Sequence, residues 1–364
     1  MPPIRILIVD DSSVIRKILG EGLAADPGLE VVGTAGTGSI ALSKIPQVNP
    51  DLVTLDIEMP GMNGLETLAA IRKTYPKLPV IMFSTLTERG AAITLDALAL
   101  GASDYVTKPS NTGSLDVTLN QIRAQLIPKV KALCASRLSR LSAPATPLRR
   151  VTPVGDAPRV EVLAIGTSTG GPNALAELLP AIPGDFPVPI VIVQHMPPVF
   201  TRLLASRLND RSALTVQEGS PGQSLKAGEA WIAPGDFHMT LESQGTSVRL
   251  STNQDPPENS CRPAVDPLFR SVAKVFGCHA LAVILTGMGA DGVNGCQHIR
   301  EKGGQVYVQD EASSVVWGMP GSVAAAGLAN GVYPINAMAH EIVRRVVTKR
   351  GAAFPSLLTS NVQS

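Results

Sequence analysis

The chain is 364 residues long, 44% hydrophobic and 17% charged, with a formal net charge of +1 at pH 7. That length exceeds what one ordinary core fills and predicts two domains, and the composition excludes a disordered chain. The near-neutral charge argues against general attraction to nucleic acid or to a membrane surface.

No apolar run approaches the about 20 residues of a membrane span, and Ala280 to Leu285 is only strand-length. The stretch Met1-Pro2-Pro3-Ile4-Arg5 meets Asp10 and Asp11 too soon for a signal peptide. Cys134, Cys261, Cys278 and Cys296 lack the close paired spacing of a zinc site or a disulfide framework. They read as ordinary thiols in a reducing compartment. The expectation is a cytoplasmic protein with no nucleic-acid partner and no direct membrane insertion.

From Ile4 to about Gln125, strand-like runs alternate with amphipathic stretches. The predicted strands are Ile6–Val9, Glu30–Val32, Leu52–Leu55, Val80–Phe83 and Asp104–Val106, with helices such as Val14–Leu23, Leu65–Tyr75 and Arg89–Leu100 between them. That alternation predicts βαβ units and a parallel sheet wound on both faces, with ligands at the carboxyl ends of its strands. Asp10, Asp11, Asp56 and Ser84 all fall there.

Between Arg123 and Arg159 the character changes. Five prolines punctuate the stretch, and eight basic residues face a single acid, Asp156. A solvated linker is the simpler reading and docking on a partner or on the opposite domain the sharper one. Gln121 to Leu138 can continue as helix despite Pro128. The expected organisation is a domain over 1–125, a basic Pro-containing linker over 126–158, a second domain over 159–350 and a tail over 351–364.

The second domain alternates again. Val160–Ile165, Pro189–Val193 and Ala280–Leu285 read as buried strands; Ala230–Ile232, His238–Leu241 and Ser247–Leu250 read as a small antiparallel insertion. Helices are expected over Asn173–Leu179, Phe200–Leu208, Asp266–Val275, Gly292–Lys302 and Ala337–Lys349. The fold class is therefore α/β in both halves, each doubly wound on a mainly parallel sheet.

Phosphorylating a carboxylate needs a divalent cation to offset converging negative charge, and Mg²⁺ takes a few carboxylates with water and phosphate. Asp10 and Asp11 supply the acid cluster, Asp56 the acceptor oxygen, Lys108 a cation for the phosphoryl group and Ser84 a hydroxyl that can follow it. A helix-capping role explains any one acid alone. Five such groups at successive strand ends favour the phosphoacceptor.

A serine hydroxyl needs a base, itself oriented by a carboxylate. Ser168 lies in Gly166-Thr167-Ser168-Thr169-Gly170 after an apolar run, where small residues permit a sharp strand-to-helix turn. Of five histidines, His195 directly follows a buried strand and Gln194, which makes it the expected base; His238 is more easily a surface-strand residue or part of the pocket rim. Asp291, in Thr286-Gly287-Met288-Gly289-Ala290-Asp291-Gly292, is the expected orienting acid, with helix capping as its plainer alternative. The glycines there let backbone N–H groups approach an oxyanion. The turn 166–171 lacks both G-x-G-x-x-G and Walker-type spacing, so a nucleotide cradle is disfavoured.

Two resemblances carry further. Asp10-Asp11, Asp56 with Met59-Pro60-Gly61-Met62-Asn63-Gly64, Ser84, and Tyr105 through Lys108-Pro109 make the first domain resemble a flavodoxin-like response-regulator receiver. The resemblance implies phosphotransfer to Asp56 from a chemotaxis histidine kinase of a two-component system, Mg²⁺ held by Asp11, Asp56 and the Glu58 carbonyl with Asp10 in support, and Tyr105 as a reporter of the switch. The segments 166–172, Gln194-His195-Met196-Pro197, Cys261 to Asp266, 285–292, Gln309-Asp310 and Gly318-Met319-Pro320 make the second domain resemble the CheB family of chemotaxis protein-glutamate methylesterases. That likeness implies Ser168 as nucleophile, His195 as base, Asp291 as orienting acid and Met288 N–H as oxyanion donor. It also implies a hydrolase that needs no cofactor for the ester step, acts on the cytoplasmic helices of methyl-accepting chemoreceptors, and has protein-glutamine glutaminase activity. Thr167 stands where that family often has alanine.

Overall fold

The computed structural model describes residues 2–108, 115–139, 158–245 and 247–347. In its first half, strands β1 (Ile4–Val9), β2 (Leu29–Ala35), β3 (Leu52–Asp56), β4 (Val80–Ser84) and β5 (Asp104–Thr107) alternate with helices α1 (Ser13–Ala24), α2 (Gly38–Val48), α3 (Gly64–Thr74), α4 (Glu88–Ala99) and α5 (Leu115–Ser139). The strands pair in parallel in the order β2-β1-β3-β4-β5. Helices cover both faces, so the central strands β1, β3 and β4 carry near-continuous apolar runs buried on both sides. Short polar side chains start the helices. Ser12 accepts the Ile15 N–H, Thr87 accepts the Gly90 N–H, and Asn63 and Glu66 close a reciprocal box at α3.

One helix differs from the sequence expectation. The reading singles out no helix at α2, which carries Pro46 within it. As the sequence allows, helix α5 runs unbroken through Pro128, and Leu126, Val130, Leu133 and Cys134 are buried with Leu19 and Leu23 of α1. Their helical spacing turns one face to the core while Arg123 and Lys131 are exposed. Packing of α5 on α1 thus continues past residue 125 into the stretch expected as linker. The middle of that linker, Pro109, the end of the last expected helix and the tail lie outside the described residues.

The second half continues with β6 (Val162–Thr167), α6 (Gly171–Leu178), β7 (Ile190–Gln194), α7 (Phe200–Asn209), β8 (Thr215–Glu218), β9 (Glu229–Ile232), β10 (His238–Gln244), β11 (Ser247–Asn253) and α8 (Val265–Phe276). After these come β12 (Ala280–Ile284), α9 (Val293–Glu301), β13 (Gln305–Gln309), α10 (Met319–Ala325), β14 (Gly331–Tyr333) and α11 (Ile335–Val347). A parallel sheet runs β14-β13-β12-β6-β7-β9-β8, with β10 and β11 as a separate antiparallel pair. The chain leaves β6 for β7 on one side and later returns to β12 on the other. The carboxyl end of β6 is therefore a switch point, where open α/β sheets bind their ligands.

Ala230–Ile232, expected in the antiparallel insertion, belongs instead to β9 and pairs in parallel with β7 and β8. Ala230, Trp231 and Ile232 are all buried, which a hairpin strand on the surface would not allow. Strands β8, β13 and β14 and helix α10 were not foreseen. The first is an edge strand of alternating exposure, and β13 opens and closes on glutamine.

The two halves meet along α4 and β5 of the first and α6 and α7 of the second. Tyr105 stacks flat on Phe200, ring centroids 4.8 Å apart. Arg207 pairs with Asp96 at 2.8 Å and donates to Ala92 O at 2.7 Å, Asn173 donates to Leu98 O at 2.8 Å, and Arg202 pairs with Glu88. Nearer the centre, Asp104 Oδ2 accepts both Thr169 Oγ1 at 2.6 Å and Lys129 Nζ at 2.8 Å.

Phe269 on α8 is fully buried against the second sheet. Phe269→Ala should cost about 3–5 kcal/mol. In calorimetry this appears as a lowered transition for the second domain, with the first domain's transition retained.

Candidate functional site

The carboxyl ends of β1, β3 and β5 bring four of the expected groups together. Carboxylate oxygens of Asp10, Asp11 and Asp56 lie within 4.8 Å of one another. Lys108 Nζ stands 2.7 Å from Asp56 Oδ1 and 3.3 Å from Asp10 Oδ2. Asp10 Oδ1 accepts the Ser12 N–H at 2.9 Å. Asp10 Oδ2 and Asp56 Oδ2 are buried without a hydrogen-bond donor, although Lys108 faces the former as an ion-pair partner. Orphaned oxygens among converging acids suit a hard divalent cation, so the residues fit Mg²⁺. The exposed Glu58 side chain is not in the cluster, which leaves its backbone carbonyl as the group it can offer.

Burial sets the electrostatics of this pocket. It pushes the Asp56 carboxyl up to about 6 against the pull of Lys108, and the charge of Asp10 adds to the rise. Burial likewise raises Asp10. For Lys108 burial opposes the cation, but contact with Asp56 and Asp10 outweighs it and raises the ammonium group. Ser84 is turned away from Asp56: its hydroxyl accepts Thr94 Oγ1 at 2.6 Å and faces Gly90 O at 3.2 Å. Tyr105 is also turned away, toward Phe200, with Lys129 Nζ 5.3 Å from its ring centre.

At the carboxyl ends of β6, β7 and β12 the second constellation forms. Ser168 follows β6 directly, and its N–H donates to Thr286 O at 3.1 Å. Gly170 takes a left-handed φ of 81°, and a Cβ there would lie 2.6 Å from Val315 Cγ2, so the turn into α6 requires glycine. A Cβ on Gly287 would lie 2.9 Å from Ser168 Cβ, which shows how closely the loop after β12 packs on the serine. Among the described residues the Met288 N–H in that loop has no acceptor.

His195 Nε2 is 2.7 Å from Asp291 Oδ2. The rest of the Asp291 carboxylate is fully engaged. Oδ2 also accepts Val265 N–H at 2.6 Å; Oδ1 accepts Asn259 Nδ2 at 2.9 Å, Gly292 N–H at 2.9 Å and Asp266 N–H at 3.1 Å. Burial opposes ionisation of Asp291, but His195 and the backbone donors outweigh it and hold the carboxyl below its ordinary value. Burial also opposes a charged imidazole, yet the bonds to Asp291 and Cys261 raise His195 to about 10.

Since Nε2 is bound to Asp291, Nδ1 is the ring nitrogen left for chemistry. It faces Cys261 Sγ at 3.4 Å. Among the described residues Ser168 Oγ makes no hydrogen bond to the ring. Both side chains line one cavity of about 510 Å³, which Tyr105, Gln125 and Lys129 of the first domain also line.

His238 is neither on the surface nor at the pocket rim. It is buried, its Nδ1 accepting Ala264 N–H at 3.2 Å and its Nε2 meeting Pro256 O at 3.1 Å, because β10 packs under α8. Asn259 and Cys261 were given no role by sequence reasoning. The one signal was that Cys261 opens, and Asn259 shortly precedes, the segment Cys261-Arg262-Pro263-Ala264-Val265-Asp266. Gln194, beside His195, donates to Ser168 O at 3.1 Å.

Comparison with known proteins bears on both sites. The family model described as CheB methylesterase matches residues 163–342, and that described as response regulator receiver domain matches residues 6–120. A protein-glutamate methylesterase/protein-glutamine glutaminase of Trichodesmium erythraeum is 56% identical over 95% of this chain and 100% of its own length. One of the same description from a Nocardioides species is 50% identical over 98% of this chain and 99% of its own. The crystal structure of the Thermotoga maritima CheB methylesterase catalytic domain superposes with a TM-score of 0.50 at 42% identity, covering 51% of this chain and 98% of that one.

Two outcomes follow from the geometry. Asp291→Asn should leave the fold in place and lower ester turnover on the order of 10⁴-fold, because an amide cannot hold the same imidazole tautomer; steady-state kinetics against circular dichroism checks both halves. The Asp56 carboxyl is raised from 3.8 to about 6, so folding favours its protonated form. Its contribution to stability is full below about pH 4 and lost as the pH rises through 6. In metal-free buffer the melting temperature of Asp56→Asn should therefore gain on that of the parent chain across this window.

Proposed function

Because the chain belongs to the CheB methylesterase family, with a receiver domain ahead of the catalytic one, we propose that it is a phosphorylation-activated esterase built on Ser168, His195 and Asp291. It removes methyl esters from glutamate side chains of chemoreceptors, releasing methanol, and by the same path converts particular glutamines to glutamate. The reading is supported above all by one observation: the hydrogen-bonded His195–Asp291 pair and Ser168 share a single cavity at three neighbouring strand ends.

In the acylation step the Ser168 oxygen attacks the ester carbonyl while His195 Nδ1 takes its proton. The Met288 N–H faces the oxygen on which charge develops. His195 then returns the proton to the departing methoxide, and methanol leaves. Water, deprotonated by the same nitrogen, attacks the acyl-enzyme and frees the glutamate. With a glutamine substrate ammonia leaves instead. Asp291 stays ionised throughout, held by its backbone and Asn259 donors, and stabilises the imidazolium.

Asp56 is the phosphoacceptor, supplied by a chemotaxis histidine kinase. Asp11, Asp56 and the Glu58 carbonyl would hold Mg²⁺, with Asp10 in support; bound there, the ion would offset charge on the incoming phosphoryl group. Lys108 pairs with that group, while Ser84 and Tyr105 rearrange toward it. With Asp56 unmodified, the first domain walls the cavity from one side, and phosphorylation loosens that contact. The esterase domain then spans about 159–350, and the action of its receiver is cytoplasmic. Among the described residues no helix is long and apolar enough to cross a membrane.

Incubating the purified chain with methyl-labelled receptors and measuring volatile methanol tests the reading. Turnover should rise several-fold with Mg²⁺ and a small-molecule phosphodonor, and that rise should vanish in Asp56→Asn. Ser168→Ala should abolish methanol release. Substantial hydrolysis by that variant would defeat the nucleophile assignment, and equal rates with and without phosphodonor would defeat the switch.

A further inference from the structure

The geometry points to Cys261 as a positioning residue that holds His195 Nδ1 in the resting site and competes with Ser168 for it. The inference rests on the assignment of Ser168 and His195 as nucleophile and base. Its foundation is stoichiometric. Asp291 occupies Nε2 at 2.7 Å, so the imidazole has one nitrogen left, and the 3.4 Å contact with Cys261 Sγ already uses it. If the ring is neutral, its single Nδ1 lone pair accepts the S–H; if it is protonated, Nδ1–H donates to sulfur. In either state Ser168 cannot pass its proton to Nδ1 until the sulfur has been displaced.

Cys261 is placed there by a built turn. Glu258 and Cys261 exchange backbone hydrogen bonds at 3.1 and 2.9 Å, and the two residues between them, Asn259 and Ser260, take left-handed φ angles of 51° and 62°. The turn is tied down at both ends of its reach. Glu258 pairs with Arg270 of α8, and Asn259 Nδ2 donates to both Asp266 and Asp291. One short loop therefore steadies the orienting acid with its second residue and occupies the base with its fourth. A thiol is a weak partner for an imidazole nitrogen, so the serine can replace it at small cost. The other charged and titratable groups bordering this cavity are Arg262, Lys129 and Tyr105. Arg262 is bound to Asp236, and Lys129 to Asp104.

The test compares Cys261→Ala and Cys261→Ser in the full chain, with Mg²⁺ and a phosphodonor present, and circular dichroism confirms folding. Removing the competitor in Cys261→Ala should raise kcat about two- to five-fold with KM unchanged, consistent with the loss of one weak hydrogen bond. It should also move the acid limb of the kcat/KM profile to lower pH, since the sulfur stabilises the imidazolium. Cys261→Ser restores a donor and acceptor at the same place, so its kcat should stay at or below that of the parent chain. A packing role gives the opposite order, with alanine worse than serine and the acid limb unmoved, and that result would overturn the inference. Ser168→Ala, assayed alongside, separates failure of the nucleophile assignment from failure of this one: activity surviving there condemns the former whatever the Cys261 variants do.

Discussion

Everything at the second site depends on how one carboxylate is held. Asp291 accepts five hydrogen bonds, from His195, Asn259 and the backbone N–H groups of Val265, Asp266 and Gly292. A buried carboxylate without such donors would take up a proton and lose its hold on the imidazole. Here the start of α8 and the loop before α9 converge on the same two oxygens. The acid is thereby fixed in position and in charge, and the ring it carries is fixed with it. The β6 turn then has to deliver only one hydroxyl to a site already formed.

The first site is built on the reverse principle. Asp10 and Asp56 keep oxygens without hydrogen-bond donors, and burial makes their charges costly. Such a pocket is poised to accept positive charge, which Lys108 supplies only in part. Asp291 is saturated with donors and stable as it stands; Asp56 is left wanting, which suits a group whose proposed task is to change state.

Much of this was legible in the sequence because it lies at strand ends. Asp10, Asp56, Ser168, His195 and Asp291 each follow an apolar run of strand length, and in parallel sheets that position is where ligand chemistry gathers. The antiparallel pair β10–β11 and the passage of α5 through Pro128 were readable from alternation and from helical spacing. Other features were hidden for identifiable reasons. Strand β9 resembles a hairpin strand until its parallel neighbours are known, and β13 is masked by its terminal glutamines. The role of Asn259 depends on a left-handed turn that no periodicity signals. His238 is a polar residue at the head of a strand, and only the packing of α8 over it shows that it is buried and satisfied. Which imidazole nitrogen meets Asp291, and that Cys261 meets the other, are facts of side-chain geometry beyond any spacing rule.

The stack of Tyr105 on Phe200 joins the apolar interiors of the two halves into one continuous mass. Pulling the halves apart would wet two broad aromatic faces at once. Small separations therefore cost nearly as much as large ones until water can enter between the rings. Movement along this seam should resemble a latch that is either shut or clear, rather than a hinge that drifts, and the aromatic pair sets how abrupt that transition is.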